Sequence, residues 1–206
     1  MLSRFIELKD KELEITQDLN FGYAGEVWDG ALTFASYLKN VDFTNKTVLE
    51  LGAGTGICGL VAASHPKIKK VYITDKECNL NIIEKNYEIN KDILTKEVIV
   101  KGINWCDEKT YENITNEEFD YIICSECIWD PKFFQPLINT LNYYGVPNKT
   151  VVLFSYLNRK ESDKEFFKLL TDNSNGKKWS LEKVNDEDIE EDYRADDITI
   201  YRAIRL

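Results

Sequence analysis

The chain has 206 residues, of which 43% are hydrophobic, and this suits one α/β domain with a full core. Its 36 acidic and 26 basic residues give a formal net charge of −10, which argues against a nucleic-acid-binding protein with a basic face. No segment approaches the roughly 20 apolar residues of a membrane span, and the charged N-terminus lacks the apolar core of a signal peptide. We therefore expect a soluble protein of the cytoplasm, either there alone or in the nucleus as well, with no membrane partner.

The N-terminal part predicts a hairpin followed by an amphipathic helix. Segments 4–9 and 12–17 flank a polar turn and are typical of two short strands. After a loop, apolar residues recur at the spacing of a helix: Ala31, Phe34, Ala35 and Leu38. We predict one domain, in which residues 1–45 form this N-terminal part and residues 46–206 form a Rossmann-like core.

From residue 47 the pattern alternates regularly between strands and helices. Strands are predicted at 47–51, 70–75, 97–103, 119–125 and 150–156, and helices at 57–64, 78–90, 131–144 and 162–172. This alternation indicates a mostly parallel sheet with helices on both faces. Segments 179–184 and 197–206 have no helix between them, so we expect an antiparallel edge hairpin and about seven strands in all. Ligands of such sheets bind at the carboxyl ends of the strands.

The most informative stretch is the strand-to-helix turn that contains Gly52, Gly54 and Gly56. Its Gly-x-Gly-x-Gly spacing differs from that of dinucleotide binders, and no Lys-Ser/Thr pair follows as in a P-loop. Glu50, just before the turn, would repel a pyrophosphate but accept hydrogen bonds from an amino group. Asp75 ends the next strand, where a carboxylate can accept ribose hydroxyls. Together these residues predict a pocket for a nucleoside with an amino-acid tail; the alternative is a plain glycine turn with a helix-capping Asp75.

The five cysteines and the single histidine do not favour a metal centre. Cys124 and Cys127 are the only close pair, and no second pair or histidine cluster accompanies them. A redox pair is the alternative, but such pairs normally open a helix, whereas this pair closes a predicted strand. We interpret these residues as buried, reduced thiols and predict no bound metal.

These motifs resemble the seven-β-strand S-adenosylmethionine methyltransferases, whose first motif reads (Glu/Asp)-x-Gly-x-Gly-x-Gly. The stretches VWDGALTFASYL, VLELGAGTGICGL, ITD, INWCD, YIICSECIWDPKFFQPLINTL and YRADDITIYRAIRL look more narrowly like the methyltransferase-like-21 group of protein lysine methyltransferases. Members of that group modify valosin-containing protein, Hsp70 chaperones or elongation factor 1-alpha. The resemblance covers residues 21–206 and implies S-adenosylmethionine as cofactor and a chaperone, AAA ATPase or elongation factor as substrate.

The resemblance also implies roles for individual residues in this sequence. The positions that contact the cofactor in the family correspond to Trp28, Glu50, Gly52, Ala53, Gly54, Asp75, Trp105 and Ser125. The (Asp/Glu)-x-x-(Tyr/Phe) motif of the group falls on residues 126–129. Here the sequence departs from the usual pattern, with Glu126 as the acid and Trp129 in place of the aromatic Tyr or Phe.

Three residues are predicted to serve the acceptor lysine. Glu126 would orient the amine or help to pass its proton to water, and Trp129 would wall the channel and attract the amine by cation–π contact. Tyr156, at the end of the fifth core strand, is predicted to act similarly. The alternative for Trp129 is ordinary apolar packing. The acidic segment 185–193 is either a solvated loop or a docking strip for basic residues around the target lysine.

Two other functions stay open at this stage. One is a methyltransferase that acts on nucleic acid or a small molecule; the acidic charge disfavours nucleic acid, and the Asn/Asp-Pro-Pro-Tyr motif of amino methylation at adenine or glutamine does not follow the fourth strand. The other is a non-catalytic subunit that binds the cofactor and a partner, which the intact glycine turn disfavours.

Overall fold

The N-terminal hairpin is present in the computed structural model, in which residues 2–94, 96–114, 116–158, 163–172 and 178–206 are described. Strands β1 (Leu2–Glu7) and β2 (Glu12–Gln17) pair antiparallel as a separate two-stranded sheet. β2 buries Leu13 and Ile15, whereas β1 exposes all its residues but Ile6. The hairpin therefore packs on the rest of the protein through its second strand.

Seven further strands of the described part of the chain form one sheet, as predicted. They are β3 (Thr47–Leu51), β4 (Lys70–Asp75), β5 (Val98–Gly102), β6 (Tyr121–Ser125), β7 (Val151–Leu157), β8 (Trp179–Lys183) and β9 (Ile198–Arg205). The strand order is β5-β4-β3-β6-β7-β9-β8, and the first five of these strands are mutually parallel. β3 lies inside the sheet and is buried along its whole length, as predicted from its mostly apolar sequence.

The predicted edge hairpin of the last two strands is also confirmed. β9 inserts between β7 and β8 and runs antiparallel to both. β8 therefore points in the same direction as the parallel strands, and its connection to β9 leaves the sheet at the carboxyl edge. The acidic segment 185–193 lies in that connection.

Within the described residues, five α-helices cover the sheet: α1 (Asp29–Leu38), α2 (Ile57–Ala63), α3 (Leu80–Asn90), α4 (Phe134–Tyr144) and α5 (Asp163–Thr171). α3 and α4 begin later than predicted, because a short 3-10 turn precedes each of them. Before α4 the Asp130 carboxylate accepts from the Lys132 N–H at 3.1 Å, and Pro131 occupies the first position of the turn. In the described ranges no helix is both long and apolar enough to cross a membrane.

Two apolar cores lie on opposite faces of the sheet. Along β3, Val48 packs in the core formed with α1, α2 and α3, whereas Leu49 and Leu51 pack in the core formed with α4 and α5. This period-two alternation also decides which face of the sheet each polar residue reaches. Glu50 shares the α2 face with Val48.

A pair of asparagines docks the hairpin on α3. Asn86 and Asn90, one helical turn apart, each exchange two hydrogen bonds with the backbone of β2, at Thr16 and Glu14, over 2.7–3.1 Å. Asn86 also donates to the carbonyl oxygen of Thr55, in the glycine turn, at 2.9 Å. These side chains satisfy backbone groups of the hairpin much as a neighbouring strand would, and they tie the hairpin to the ligand-binding edge.

Candidate active site

A cavity of about 560 Å³ opens at the carboxyl edge of the sheet, in the size range of small-molecule sites. It lies beyond the ends of β3, β4, β5 and β6. Ten of the eleven residues predicted at the site line it: Trp28, Glu50, Gly52, Ala53, Gly54, Asp75, Trp105, Ser125, Glu126 and Trp129. The tertiary fold thus collects residues from five separate stretches of sequence around one space.

The glycine turn forms the floor of the cavity. Gly52 has a φ of 66°, a left-handed conformation that favours glycine. A Cβ atom at Gly52 would lie 2.7 Å from the Trp105 ring and 2.9 Å from the Cys127 sulfur. The missing side chain therefore lets the Trp105 ring pack directly on the backbone and leaves that backbone open to a ligand.

Glu50 lies at the inner end of the cavity and is 1% exposed. Its Oε2 accepts from the Gly59 N–H of α2 at 2.9 Å, while its Oε1 is buried without a hydrogen-bond partner in the described part of the chain. Burial is the main cause that raises the pKa of Glu50 to about 8; the Gly59 hydrogen bond opposes it, and the Asp75 charge adds a smaller upward effect. A buried acceptor of this kind fits a cationic amino group of a ligand.

Asp75 has an internal role in addition to facing the cavity. Its Oδ2 accepts from the Gly54 N–H at 2.8 Å, and its Oδ1 accepts from the Lys76 N–H and the Asn79 side chain, each at 2.7 Å. A carboxylate offers about four acceptor positions, so one remains on Oδ2 for a ligand hydroxyl. Asp75 therefore braces the glycine turn and can still receive a ribose.

The opposite end of the cavity is built around Glu126, the residue after β6. It adopts a φ of 53°, and its N–H donates to the carbonyl oxygen of Ser155 on β7 at 2.9 Å. The Oε1 atom is buried beneath the start of α1, beside Gly30. Non-glycine residues rarely take such a φ, and they tend to do so at functional positions.

An aromatic rim surrounds this end of the cavity. The ring of Tyr23 lies 5.8 Å from that of Trp28 and 6.1 Å from that of Trp129, and Phe133 lies 5.4 Å beyond Trp129. Trp129 is 42% exposed, so it is not a core residue. The Lys132 ammonium lies 5.7 Å from the Trp129 ring centroid, a contact that shows the ring available to cations.

The structure places Tyr156 away from the cavity. Its side chain is buried on the α4 and α5 face of the sheet, 5.2 Å from the ring of Phe167 and 6.1 Å from that of Tyr201. Its neighbour Ser155 points the other way and donates to the carbonyl oxygen of Gly30 at 2.7 Å. Strand alternation thus gives Tyr156 a core position, which the position at a strand end alone did not reveal.

Sequence reasoning missed Tyr23, Phe133 and Gly30 at this site. Tyr23 lies on a 3-10 segment (Leu19–Gly25) that folds over the glycine turn, where Ala24 would contact a Cβ on Gly54 at 3.1 Å. The aromatic residues near Trp28 and Trp129 in the sequence were an available signal for the first two. No local pattern distinguishes Gly30 from any other helical glycine.

The thiols of the Cys-x-x-Cys stretch are buried and reduced. Cys124 packs in the core, and Cys127 lines the cavity, with its thiol donating to the carbonyl oxygen of Leu51 at 3.2 Å. A hydrogen bond with Cys124 and burial both raise the pKa of Cys127, which makes it a poor nucleophile. Among the described residues there is no group of three or more His, Cys, Asp or Glu side chains that could hold a metal ion.

The acidic segment 185–193 lies at the same edge of the sheet. Its carboxylates are exposed, while Ile189 is buried and anchors the segment against α1. Thr33 of α1 donates to the carbonyl oxygen of Tyr193 at 2.8 Å, and Lys39 pairs with Glu190 at 2.6 Å. The segment is therefore a solvated loop that is held in place beside the helix leading to the cavity.

Comparison with known proteins gives a family and close relatives. The sequence profile described as lysine methyltransferase matches residues 7–173. The chain is similar to protein N-lysine methyltransferase METTL21A of Xenopus tropicalis, with 32% identity over 163 residues, 77% of this chain and 72% of that protein. It is equally similar to EEF1A lysine methyltransferase 3 of Mus musculus, with 32% identity over 163 residues, 77% of this chain and 68% of that protein.

Among solved structures, the fold resembles a protein from Streptococcus mutans classed with the S-adenosylmethionine-dependent methyltransferases. The TM-score is 0.66 at 13% identity, over 99% of this chain. The chain spans 55% of the length of that protein. At this identity the likeness supports the Rossmann-like methyltransferase fold.

Proposed function

Because this chain belongs to the lysine methyltransferase family, we propose that it transfers a methyl group from S-adenosylmethionine to the side-chain amine of a lysine in a protein. One observation carries the proposal. A single cavity joins an end suited to a nucleoside with an amino-acid tail, at Glu50 and Asp75, to an aromatic end with a carboxylate, at Glu126 and Trp129. A methyl donor and an amine acceptor need such a shared space.

The residues at the inner end fit S-adenosylmethionine. The buried Oε1 of Glu50 offers an acceptor for the ammonium of the methionine part, and Asp75 retains an acceptor position for a ribose hydroxyl. The Trp105 ring, which packs on Gly52, would flank the adenine of the bound cofactor. When bound, S-adenosylmethionine supplies an electrophilic methyl group on a positively charged sulfur.

The residues at the outer end prepare the lysine. A lysine amine has a pKa of about 10.4 in water and must lose its proton before it can accept a methyl group. The rings of Tyr23, Trp28 and Trp129 remove water from the amine, which disfavours its charged form and lowers its pKa. Glu126 accepts a hydrogen bond from the amine, aligns it, and passes its proton toward solvent. Alignment in a dry site is the main contribution an enzyme makes to a direct displacement.

A protein substrate with a basic neighbourhood suits the outer surface. The acidic segment 185–193 stands at the edge where the lysine enters, and opposite charges steer and orient a partner. EEF1A, for which one relative is named, is the first candidate substrate. An Hsp70 chaperone or an AAA ATPase, the other classes implied by the resemblance, are the next to test.

The experiment is transfer of labelled methyl groups into an extract of cells that lack this protein. Label should enter protein bands, survive nuclease, disappear with protease, and be located on lysine by mass spectrometry. Glu126→Gln is the matched control, because it keeps the cofactor end intact. Label that nuclease removes would support a nucleic-acid methyltransferase instead. Cofactor binding without any transfer would support a non-catalytic subunit.

A further inference from the structure

Glu126 occupies its place only because its backbone turns sharply out of the sheet. Glu126 comes directly after the last residue of β6 and has a left-handed φ of 53°. Its N–H donates a hydrogen bond to the carbonyl oxygen of Ser155, which holds this turn against β7. This conformation directs the side chain under the start of α1 rather than along the strand. The position of the carboxylate is thus set by what α1 allows.

Gly30, the second residue of α1, faces this carboxylate. A Cβ atom at Gly30 would lie 2.9 Å from the Glu126 Cγ and 2.6 Å from its Cδ, and closer still to Oε1. Gly30 lies in regular α-helix and is absent from the residues with positive φ, so its backbone does not need glycine. The glycine matters here because the absence of a side chain leaves space for the Glu126 carboxylate.

The helix cannot move aside to make this space in another way. The Ser155 hydroxyl donates to the Gly30 carbonyl oxygen at 2.7 Å and holds the start of α1 against β7. The next turn of the helix buries Phe34 and Ala35 completely in the core. A side chain at position 30 would therefore displace the carboxylate and not the helix.

We infer that Gly30 is a positioning residue for methyl transfer: its lack of a side chain seats the Glu126 carboxylate at the acceptor end of the cavity, and Ser155 holds the helix that provides the seat. The inference rests on the proposed function, because it concerns the residue that aligns the lysine amine. It predicts a length rule. Glycine at position 30 accommodates Glu at position 126. Beside alanine, the shorter Asp loses the closest contact, at Oε1, and needs only a small shift at Cγ, so Asp is expected to fit there better than Glu.

The test is a cycle of four proteins: wild type, Gly30→Ala, Glu126→Asp and the double variant. Each is incubated with extract protein and labelled S-adenosylmethionine, and the initial rate of labelling of the main protein band is measured. S-adenosylhomocysteine affinity by calorimetry and melting temperature are measured on the same samples. Leu32→Ala, a partly buried change elsewhere on α1, controls for a general disturbance of the helix.

Gly30→Ala should lower the maximal labelling rate by about tenfold or more, with cofactor affinity within about twofold of wild type. Glu126→Asp alone should also be slow, because the carboxylate withdraws from the cavity. The double variant should label faster and melt higher than Gly30→Ala, and Leu32→Ala should label at the wild-type rate once folded. A double variant no faster and no more stable than Gly30→Ala, or a fully active Gly30→Ala, would overturn the inference.

The readouts separate this inference from the proposed function. If wild type binds S-adenosylhomocysteine but labels no protein, the proposed function fails, and the melting temperatures still report whether positions 30 and 126 are sterically coupled. If the losses of melting temperature in the cycle are additive, positions 30 and 126 are not sterically coupled and the inference is rejected. If wild type labels protein and the cycle is additive in rate, only the positioning role fails.

Discussion

The two ends of the cavity use the same device in different ways. At each end a carboxylate from the carboxyl edge of the sheet lies against a helical glycine: Glu50 against Gly59 of α2, and Glu126 against Gly30 of α1. The first pair is local in sequence, and its glycine donates an N–H at 2.9 Å. The second pair joins distant segments and depends on a left-handed turn. The position of a carboxylate can therefore be fixed either within one strand-turn-helix unit or by contacts between segments that are distant in the sequence.

This difference suggests that the Glu50 end serves cofactor binding and the Glu126 end serves methyl transfer. At the first end Glu50 and Asp75 are buried, and Asp75 is bonded to the backbone of the glycine turn, as a binding site for a constant cofactor requires. The Glu126 end is only half-buried and is surrounded by exposed rings, as an entrance for a protein side chain requires. Changes at the first end should alter binding, and changes at the second should alter transfer.

The largest effect should come from Glu126→Gln, which removes the charge but keeps the volume. We expect the rate of single-turnover methyl transfer to fall about 10²-fold, because the amine is no longer aligned, while S-adenosylhomocysteine affinity stays within about twofold. Rapid-quench transfer and calorimetry on the same protein test this. An equal loss of affinity would erase the distinction between the two ends.

Asp75→Ala should weaken cofactor binding without a separate effect on bound-state transfer. The variant loses the acceptor for a ribose hydroxyl and the brace on Gly54, and we expect a loss of about 1–3 kcal/mol in binding free energy. Asn79→Ala is the matched control, since it removes one bond to the same carboxylate without touching the ligand. Unchanged affinity of Asp75→Ala in calorimetry would remove this residue from the cofactor site.

Glu50→Gln should lower the affinity for the cofactor but raise the free energy of unfolding, and the gain in stability should depend on pH. The pKa of Glu50 is about 8, above its ordinary value of 4.5, because the carboxyl is buried. A carboxyl whose pKa is raised on folding holds its proton more tightly in the folded state, so wild-type stability falls as the pH rises from about 4.5 to about 8. Glutamine cannot ionise and escapes this loss.

We therefore expect ligand-free Glu50→Gln to exceed wild type in unfolding free energy by on the order of 1–3 kcal/mol at pH 8, with a smaller difference near pH 5. Wild-type cofactor affinity should rise between pH 6 and 8 as the carboxylate forms, and affinity of the variant should be lower and flat. Urea unfolding and calorimetry across this range provide the measurement. A stability difference that does not change with pH would contradict the assignment.

Trp129→Ala should lower transfer several-fold with little loss of stability. The ring is 42% exposed, so its removal should cost much less than the about 3–5 kcal/mol of a buried tryptophan. A cation–π contact at an exposed position contributes about 0.5–1 kcal/mol. Trp129→Phe should recover much of the rate, and Tyr156→Phe, in the core, should leave it unchanged. An early melt with normal transfer would make Trp129 structural.

The smallest effect should come from the acidic segment. Neutralising Glu187, Asp188 and Asp192 should raise KM for the protein substrate a few-fold and flatten its salt dependence, with kcat unchanged, because exposed charges steer more than they bind. Neutralising Glu84, Glu88 and Asp92 on the surface near α3 is the matched control. Equal effects of the two triple variants would make 185–193 a solvated loop only.

Much of this architecture could be predicted from sequence because it depends on local patterns. Continuous apolar strands that alternate with amphipathic helices specified the parallel sheet, and the absence of a helix between the last two strands specified the edge hairpin. The cofactor end was equally accessible, since Glu50, its glycine turn and Asp75 lie within one strand-turn-helix-strand unit.

The acceptor end could be predicted only in part. The motif at 126–129 was recognisable, but the Tyr23 ring reaches it from a loop that packing folds over the cavity. Tyr156 was predicted to act like Trp129 because it lies near a strand end, yet the alternation of β7 buries it on the far face of the sheet. Position along a strand does not specify a face until the register with neighbouring strands is known.

The sequence by itself determined the order of the elements, the mostly parallel sheet and the chemistry of the cofactor-binding turn. The first two follow from hydrophobic periodicity and from the rules for connecting strands, and the third follows from glycines and carboxylates that lie close together in the sequence. The tertiary structure alone decided the seat of Glu126. In this arrangement Gly30 at the start of α1, Ser155 of β7 and the left-handed turn at Glu126 meet within a few ångströms, although they come from three distant segments. Whether the missing side chain at Gly30 leaves enough space depends on the close packing of buried atoms, which no local sequence pattern encodes.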